Sequence, residues 1–439
     1  MSDYTLLNGM LAGIPGKALG VAENKIVPPD AGSNSIVDLK GQSYIYPGLI
    51  NTHDHLQGNY RPPVGPKPGE YYLTWLPWDK DLKASETFKE RSRLCREDLY
   101  KLSGYKCLFS GVTTVNDHFP QQFNREILPT LPIRAILEYG LAHESSSYDL
   151  KWGDGIAEEH KRAVNNSWPF ITHLSEGFDE ESMNGVNYLE SINILDDHCL
   201  LVHCIGFSEE DIKKVAQAGA SISWCAFSNI FMFNVTCKIR KMIKAGINVT
   251  IGTDSSATGS ANLLEEMRYD RALYRNMYGE DLSAEMIFRM VTINAARAFR
   301  MQDRVGSLEN GKLADLLVIK ARREDPYENL LDAKMEDIEL LTLAGKPLYG
   351  ELRFLDLFNG KFPAAYSQIT VGGRTMFVLG DPAEHYTKVR KKIGFNKILD
   401  FLPFEPDLPA GTRQSSAQSA ASQRAVSQRA ADFPPVDGA

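Results

Sequence analysis

The chain has 439 residues with 48 basic and 56 acidic side chains, a net charge of −8, and 43% hydrophobic and 24% charged residues. This excludes a mostly disordered chain or a small disulfide-held scaffold and leaves room for one large barrel with an accessory domain. The acidic balance argues against nucleic acid or an anionic membrane as partner, since either needs clustered Lys and Arg, so a small-molecule substrate is expected. The cysteines form no C-x-x-C pair, the N-terminus has no basic segment followed by a long apolar one, and no apolar run approaches a membrane span. Reduced thiols, a cytoplasmic location and no membrane association are therefore the expectation.

In chain order, residues 1–46 read as short strands, TLLNGML, GVAENKIV and SIVDL, bounded by Gly, Pro, Asn or Asp. They form the N-terminal part of a small β-sandwich. Over residues 47–303, β-branched runs alternate with helical stretches: GVTTVND, NREILPTL, IRAILEYG, GIAEEHKRAV, PFITHLSE, LLVHCIG, EEDIKKVAQAG, ASISWC, KIRKMIKAG, INVTIGTDSS and ANLLEEMRYDRALYRNM. The alternation predicts parallel βαβ units and an α/β fold, a closed (β/α)8 TIM barrel, with an open doubly wound sheet as the alternative. Strand patterns return over 304–380 in ADLLVIKA, IELLTLAGKPLYGE and SQITVGGRTMFVLG, and the two ends are expected to share the sandwich. A helix, DPAEHYTKVRKKI, is expected in a C-terminal extension at 381–408. Residues 409–439, rich in Ser, Gln and Ala, read as a disordered tail.

The chemistry sits at the predicted strand ends. His53 and His55 are two positions apart on an extended strand, so both rings can face one metal ion. His173 closes the apolar run WPFIT and is followed by Glu176, which can reach over the same site as a proton carrier. His203 closes LLVH, and Asp254 closes INVTIGTD in a Gly-Thr-Asp-Ser-Ser turn. Each alone reads equally well as a hydrogen-bonded core or capping residue. Together they put His, Glu or Asp at the C-terminal ends of four strands, the face that carries the active site in such barrels.

These residues lie in PGLINTHDHL (47–56), HLSEG (173–177), LVHC (201–204) and GTDSSATGS (252–260), accompanied by GVTTV (111–115) and RVGSLENGKLADLLVI (304–319). The set resembles the amidohydrolase superfamily of metal-dependent hydrolases, and within it the branch of aminoheterocycle deaminases and atrazine-type chlorohydrolases. The resemblance implies that His53, His55, His173 and Asp254 hold one divalent metal ion per chain, Zn2+ as the leading candidate and Fe2+ as the alternative. It further implies Glu176 as proton shuttle, His203 as the group polarising substrate or water, and Asp254 as acceptor of the water proton. No lysine at a strand end offers a carbamylated bridge, so one ion is expected rather than two. The implied activity is deamination of a planar amino-substituted N-heterocycle or guanidine-like small molecule by metal-hydroxide attack, in an enzyme that can pair as a homodimer. Cyclic amide hydrolysis, or dechlorination or dealkylation of a related ring, is the alternative. A non-catalytic scaffold of the same fold is a minor one.

The sequence departs from the family pattern in two places. Trp224 stands where relatives carry a histidine before the Ser228-Asn229 pair. Too little chain separates His143 from His173 for a full fourth β/α unit, and His143, Tyr148 or Trp152 are the candidates to fill that gap. Trp75, Trp78 and Tyr72, in the long loop after the first strand, are expected as an aromatic wall over a planar ligand. His118, in the Asn116-Asp117-His118 strand end, and Asn229 are the expected polar contacts. Packing of the loop and capping of the next segment are the competing readings, and His160, His198 and His385 read as ordinary residues.

Overall fold

The structure, a computed structural model, describes residues 3–31, 35–358 and 362–406. The tail expected from residue 409 lies outside the described residues. Parallel strands form the centre of the molecule: β1 (Leu49–Asp54), β2 (Val112–Asp117), β3 (Arg134–Ala135), β4 (Gly140–Glu144), β5 (Phe170–Leu174), β6 (Cys199–His203), β7 (Ser221–Trp224) and β8 (Asn248–Ile251). β1 pairs β2 and β2 pairs β3; β4 through β8 pair in sequence. The ring closes where Thr52 Oγ1 donates to the Ile251 carbonyl at 2.9 Å and the Asp254 amide donates to the His53 carbonyl at 3.1 Å. These strands are Val-, Ile- and Leu-rich and almost wholly buried, as parallel strands covered on both faces must be.

Contrary to expectation, a full unit fits between His143 and His173: β4 is followed by a helix at Ile156–Asn166 and then by β5. The irregularity lies one step earlier. No helix separates β3 from β4. β3 pairs only with β2 and β4 only with β5, so residues 134–144 act as one bent stave doing the work of two. The Ile136 amide continues the β2 ladder, donating to the Val115 carbonyl at 3.0 Å, before the chain turns across to β5. Gly140 permits this bend against the covering helix, because a Cβ there would lie 2.4 Å from the Glu159 carbonyl oxygen.

Seven helices matter for the site: α1 (Trp75–Ala84), α2 (Glu86–Arg91), α3 (Arg96–Phe109), α4 (Ile156–Asn166), α5 (Ala226–Phe233), α6 (Leu263–Tyr278) and α7 (Pro382–Ile393). The helix α6 begins with Asn262 accepting from the Glu265 amide and ends at Gly279 with φ 65°, so both ends are satisfied locally. The expected C-terminal helix is α7. It packs on α3, where His385 Nε2 donates to the Asp98 carbonyl at 2.9 Å. The chain after it then reaches the barrel mouth through the Arg61–Asp400 ion pair at 2.8 Å.

Both chain ends supply the expected second unit. Strands at Tyr4–Leu7, Ala18–Ala22, Lys25–Val27 and Ser35–Asp38 form one sheet. Ser43–Pro47 joins the C-terminal strands Leu316–Lys320, Ile338–Leu343, Lys346–Glu351, Tyr366–Val371 and Arg374–Leu379 in another. Between them lies a core that includes Leu6, Leu19, Ile45, Leu316, Val318 and Phe377. Each such side chain contributes about 1.5–3 kcal/mol by leaving water. No helix among the described residues is long and apolar enough to cross a membrane. All six cysteines are free thiols, five of them buried.

Candidate active site

Five side chains from four strand ends converge at one mouth of the barrel. His53 Nε2 lies 3.3 Å from His173 Nε2, and Asp254 Oδ1 lies 4.0 Å from His53 Nε2 and 3.8 Å from His55 Nε2. His203 joins His53 and His173 in a second triplet whose donor atoms lie within 4.8 Å of one another. The chain must reverse sharply to aim them. Ser175, His203, Cys204 and Asp254 adopt left-handed backbone with φ of 51°, 68°, 53° and 53°. Such conformations cost roughly 1–3 kcal/mol each in non-glycine residues and concentrate at functional sites.

The donor set fits a divalent metal ion. His55 Nδ1 donates to the His118 carbonyl at 2.8 Å, and His173 Nδ1 donates to the His143 carbonyl at 2.5 Å. His203 Nδ1 donates to Asn229 Oδ1 at 2.8 Å. Each ring thus keeps its proton on Nδ1 and presents a bare Nε2, the arrangement in which an imidazole ligates. Burial, reinforced by the neighbouring imidazoles, pushes the pKa of His53 and of His173 well below the ordinary histidine value. Neutral rings and one carboxylate are what a Zn2+-type ion binds.

The two carboxyl groups are tuned in opposite directions. Burial resists ionisation of Asp254, but His55, His203 and hydrogen bonds from Ser228 and the Ser255 amide outweigh it and hold its pKa below the usual value. Ser228 Oγ and Thr258 Oγ1 donate to Asp254 Oδ2 at 2.6 and 2.8 Å. Glu176 is pushed well above the usual value, by burial first and then by the charges of Asp254 and Glu144. The shift favours its protonated form, and its Oε1 lies 3.7 Å from His203 Nε2. One acid and one base face each other across the site.

Behind them, Lys106 from α3 is fully buried, its ammonium bonded to Asp54 Oδ2 at 2.9 Å and Asn59 Oδ1 at 2.8 Å. Asp54 sits between the two β1 histidines and also accepts from Thr253 Oγ1 at 3.2 Å. The network ties β1 to the segment that carries Asp254.

A cavity of about 220 Å3 opens over this cluster, with His55, His173, Glu176, His203 and Asp254 in its wall and Trp75, Trp78, Phe119 and Trp152 around them. Trp75 and Trp78 are thus placed as expected. Trp75 Nε1 donates to Glu144 Oε2 at 2.7 Å, and Trp78 Nε1 to the Val64 carbonyl at 3.0 Å. His143, in β4, and Trp152, in the loop after it, line the cavity. Tyr148 does not; its hydroxyl donates to Asp179 at 2.7 Å. Tyr72 is also not in the wall, since it packs against Ile205, Phe231 and Phe233 and donates to Asp81 at 2.7 Å.

Two expected polar contacts need correction. His118 is fully buried against the His173 ring, with centroids 4.6 Å apart, and Asn229 is fully buried beneath His203. Neither lines the cavity, because the histidines themselves stand between them and it. Trp224, in place of the family histidine, points into the core and donates to Thr236 Oγ1 at 2.8 Å. Sequence reasoning missed Glu144, Phe119, Lys106 and Arg91. Glu144 directly follows His143 at a strand end and could have been found, but helix positions such as 106 carry no such signal. A larger opening, about 1020 Å3, lies at the other end of the barrel strands and contains none of the donors.

The family model described as "Amidohydrolase family" matches residues 160–349. That span includes His173, Glu176, His203 and Asp254. Among relatives, the chain is 27% identical to a 5-methylthioadenosine/S-adenosylhomocysteine deaminase of Thermodesulfovibrio yellowstonii, over 81% of this chain and 92% of that protein. It is 26% identical to a 5'-deoxyadenosine deaminase of Methanosarcina acetivorans, over 80% and 90%. Its fold matches a zinc-bound atrazine chlorohydrolase of Arthrobacter aurescens with TM-score 0.68 at 19% identity, covering 89% of this chain and 100% of that one. It also matches a zinc-bound adenosine deaminase of Xanthomonas campestris with TM-score 0.61 at 18% identity, over 79% and 92%.

Proposed function

We propose that the chain is an amidohydrolase, a mononuclear metal-dependent aminohydrolase that releases ammonia from a planar amino-substituted N-heterocycle or guanidine-like small molecule. The observation that carries the reading is the convergence of Glu176, its pKa raised, and Asp254, its pKa lowered, with three histidines whose Nδ1 atoms are hydrogen-bonded away from the site, all in one aromatic cavity. His53, His55, His173 and Asp254 would hold the ion, and His203 Nε2 is within reach of the same position. A divalent ion there lowers the pKa of a bound water toward neutrality and supplies the nucleophile.

The chain's own groups do the rest. Asp254 accepts a proton at its Oδ1, the oxygen turned toward the histidines. Glu176 donates its proton to a ring nitrogen, which makes the adjacent carbon a better electrophile, and recovers one for the leaving ammonia. His203 Nε2 can take or return a proton at Glu176 Oε1 after a small closure of the 3.7 Å gap. Trp75 and Trp152 offer faces and edges for a flat ring and exclude water. The volume of about 220 Å3 is below the roughly 300–1,000 Å3 of drug-sized sites and favours a small ligand.

The relatives' names make adenine-type nucleosides the first compounds to try. We further propose zinc as the ion, one per chain, a cytoplasmic setting in which the buried thiols stay reduced, and a homodimer. The test is ammonia release from adenine nucleosides, aminopyrimidines, aminotriazines and guanidino compounds, with enzyme loaded with Zn2+ or Fe2+. Turnover that Glu176→Gln abolishes establishes an aminohydrolase. Silence from protein holding one ion per chain, together with turnover of a chlorotriazine or cyclic amide, replaces it with the alternative hydrolase.

A further inference from the structure

The cavity wall carries one charge that deamination does not use. Arg91, the last residue of α2, lines the cavity together with Trp78 and Asp79. Its guanidinium carbon sits 4.9 Å from the centroid of the Phe88 ring, and among the described residues it makes no ion pair. Its neighbour Glu90, Glu86 on the same helix and Asp79 in the cavity wall are committed elsewhere: Glu90 to Lys397, Glu86 to Lys89 and Asp79 to Lys83, each at 2.6 Å. Burial lowers the Arg91 pKa.

An arginine remains charged in a protein, so folding leaves a partly desolvated cation facing the cavity. The Phe88 ring and the carbonyl end of α2 compensate only a fraction of what an anion would. The reacting ring must meet Glu176 and Asp254, which follow β5 and β8, whereas Arg91 lines the cavity from α2, beside Trp78 and Asp79 of α1. A group that neutralises Arg91 therefore sits on a substituent of the ring, away from the carbon under attack. The planar guanidinium fork matches two oxygens of one anionic group.

We propose that Arg91 is a specificity-determining residue that binds an anionic oxygen group, carboxylate or phosphate, on an arm of the heterocyclic substrate. This rests on the reading of the cavity as the substrate site. It adds to that reading a substrate class, acid-bearing aminoheterocycles, and a residue that selects it.

The experiment uses full-length enzyme and three matched probes: adenine bearing on its imidazole nitrogen a carboxypropyl arm, a phosphonopropyl arm or the neutral carboxamide arm. Binding is read by calorimetry and thermal shift, and turnover separately by ammonia release. Wild type is expected to bind at least one acid about tenfold or more tightly than the amide, the better acid identifying the anion. In Arg91→Gln that ratio should fall to near one, and in Arg91→Lys, which keeps the charge, part of it should remain. Acid preference with binding but no turnover in wild type would sink the aminohydrolase reading and leave the Arg91 assignment standing. Equal response to acid and amide in wild type, no response to either acid, or an acid preference intact in a folded Arg91→Gln overturns the assignment.

Discussion

Asn229 Oδ1 accepts the Nδ1 proton of His203 at 2.8 Å, while the Asn229 Nδ2 donates to Thr236 Oγ1 at 3.2 Å. In this orientation the amide holds His203 with its Nε2 toward Glu176. Asn229→Ala should therefore lower kcat by about 10–100-fold, the usual effect of losing a group that orients a site histidine, with little change in KM. Steady-state kinetics separate the roles. A raised KM at unchanged kcat would make Asn229 the substrate contact that its place in the Ser-Asn pair suggests.

Glu176 and Asp254 do their work through proton affinity, so the substitutions that keep shape and remove it are the informative ones. Glu176→Gln and Asp254→Asn should each lower kcat by about 10²–10⁴, the range for a lost general acid or base. Asp254→Asn should also reduce retained metal, measured by elemental analysis. Circular dichroism and melting temperature should show both variants folded. Near-normal turnover in either would remove that residue from the mechanism.

The barrel and its donors were legible because strand ends announce themselves locally. His53, His55, His173, His203 and Asp254 each close a β-branched run, and a period of two is enough to put both β1 histidines on one side. The bent stave at 134–144 was not legible: the shortage of chain read between His143 and His173 falls on a complete unit, because which neighbour a strand pairs with is a long-range property. His118 and Asn229 were misplaced for a related reason. Both sit where substrate contacts often lie, but depth beneath His173 and His203 depends on strand register and not on sequence position. Lys106 and Arg91 read as ordinary helix charges, and only the fold reveals that one is buried and the other unpaired.

Lys106 and Asp54 make a fully buried ion pair, and removing one partner leaves the other charge without compensation. Lys106→Met should destabilise the protein by about 3–5 kcal/mol, read from urea unfolding midpoints. Asp54→Asn combined with Lys106→Met should recover much of that loss, since neither charge then remains. The single variant should also hold metal less well, because Asp54 stands between His53 and His55. Additive losses in the double variant would show that the pair is not the source of the effect.

Glu266 and Asp270 lie one turn apart on α6, both completely buried, with Glu266 Oε1 accepting from the Phe227 amide at 3.0 Å. Burial and mutual proximity raise both carboxyls above the usual range, so the folded pair holds a proton that the unfolded chain has already lost. The sign follows. The native state binds more protons above the ordinary carboxylate range, so this stabilisation is complete below that range and is lost as pH rises through the raised folded value. Each pH unit between the two values is worth about 1.4 kcal/mol. Melting temperature should therefore fall from pH 6 to pH 9 in wild type, and Glu266→Gln, which keeps the Oε1 contact but cannot ionise, should flatten that fall. An unchanged pH slope in the variant would mean that the pair carries no shared proton in the folded protein.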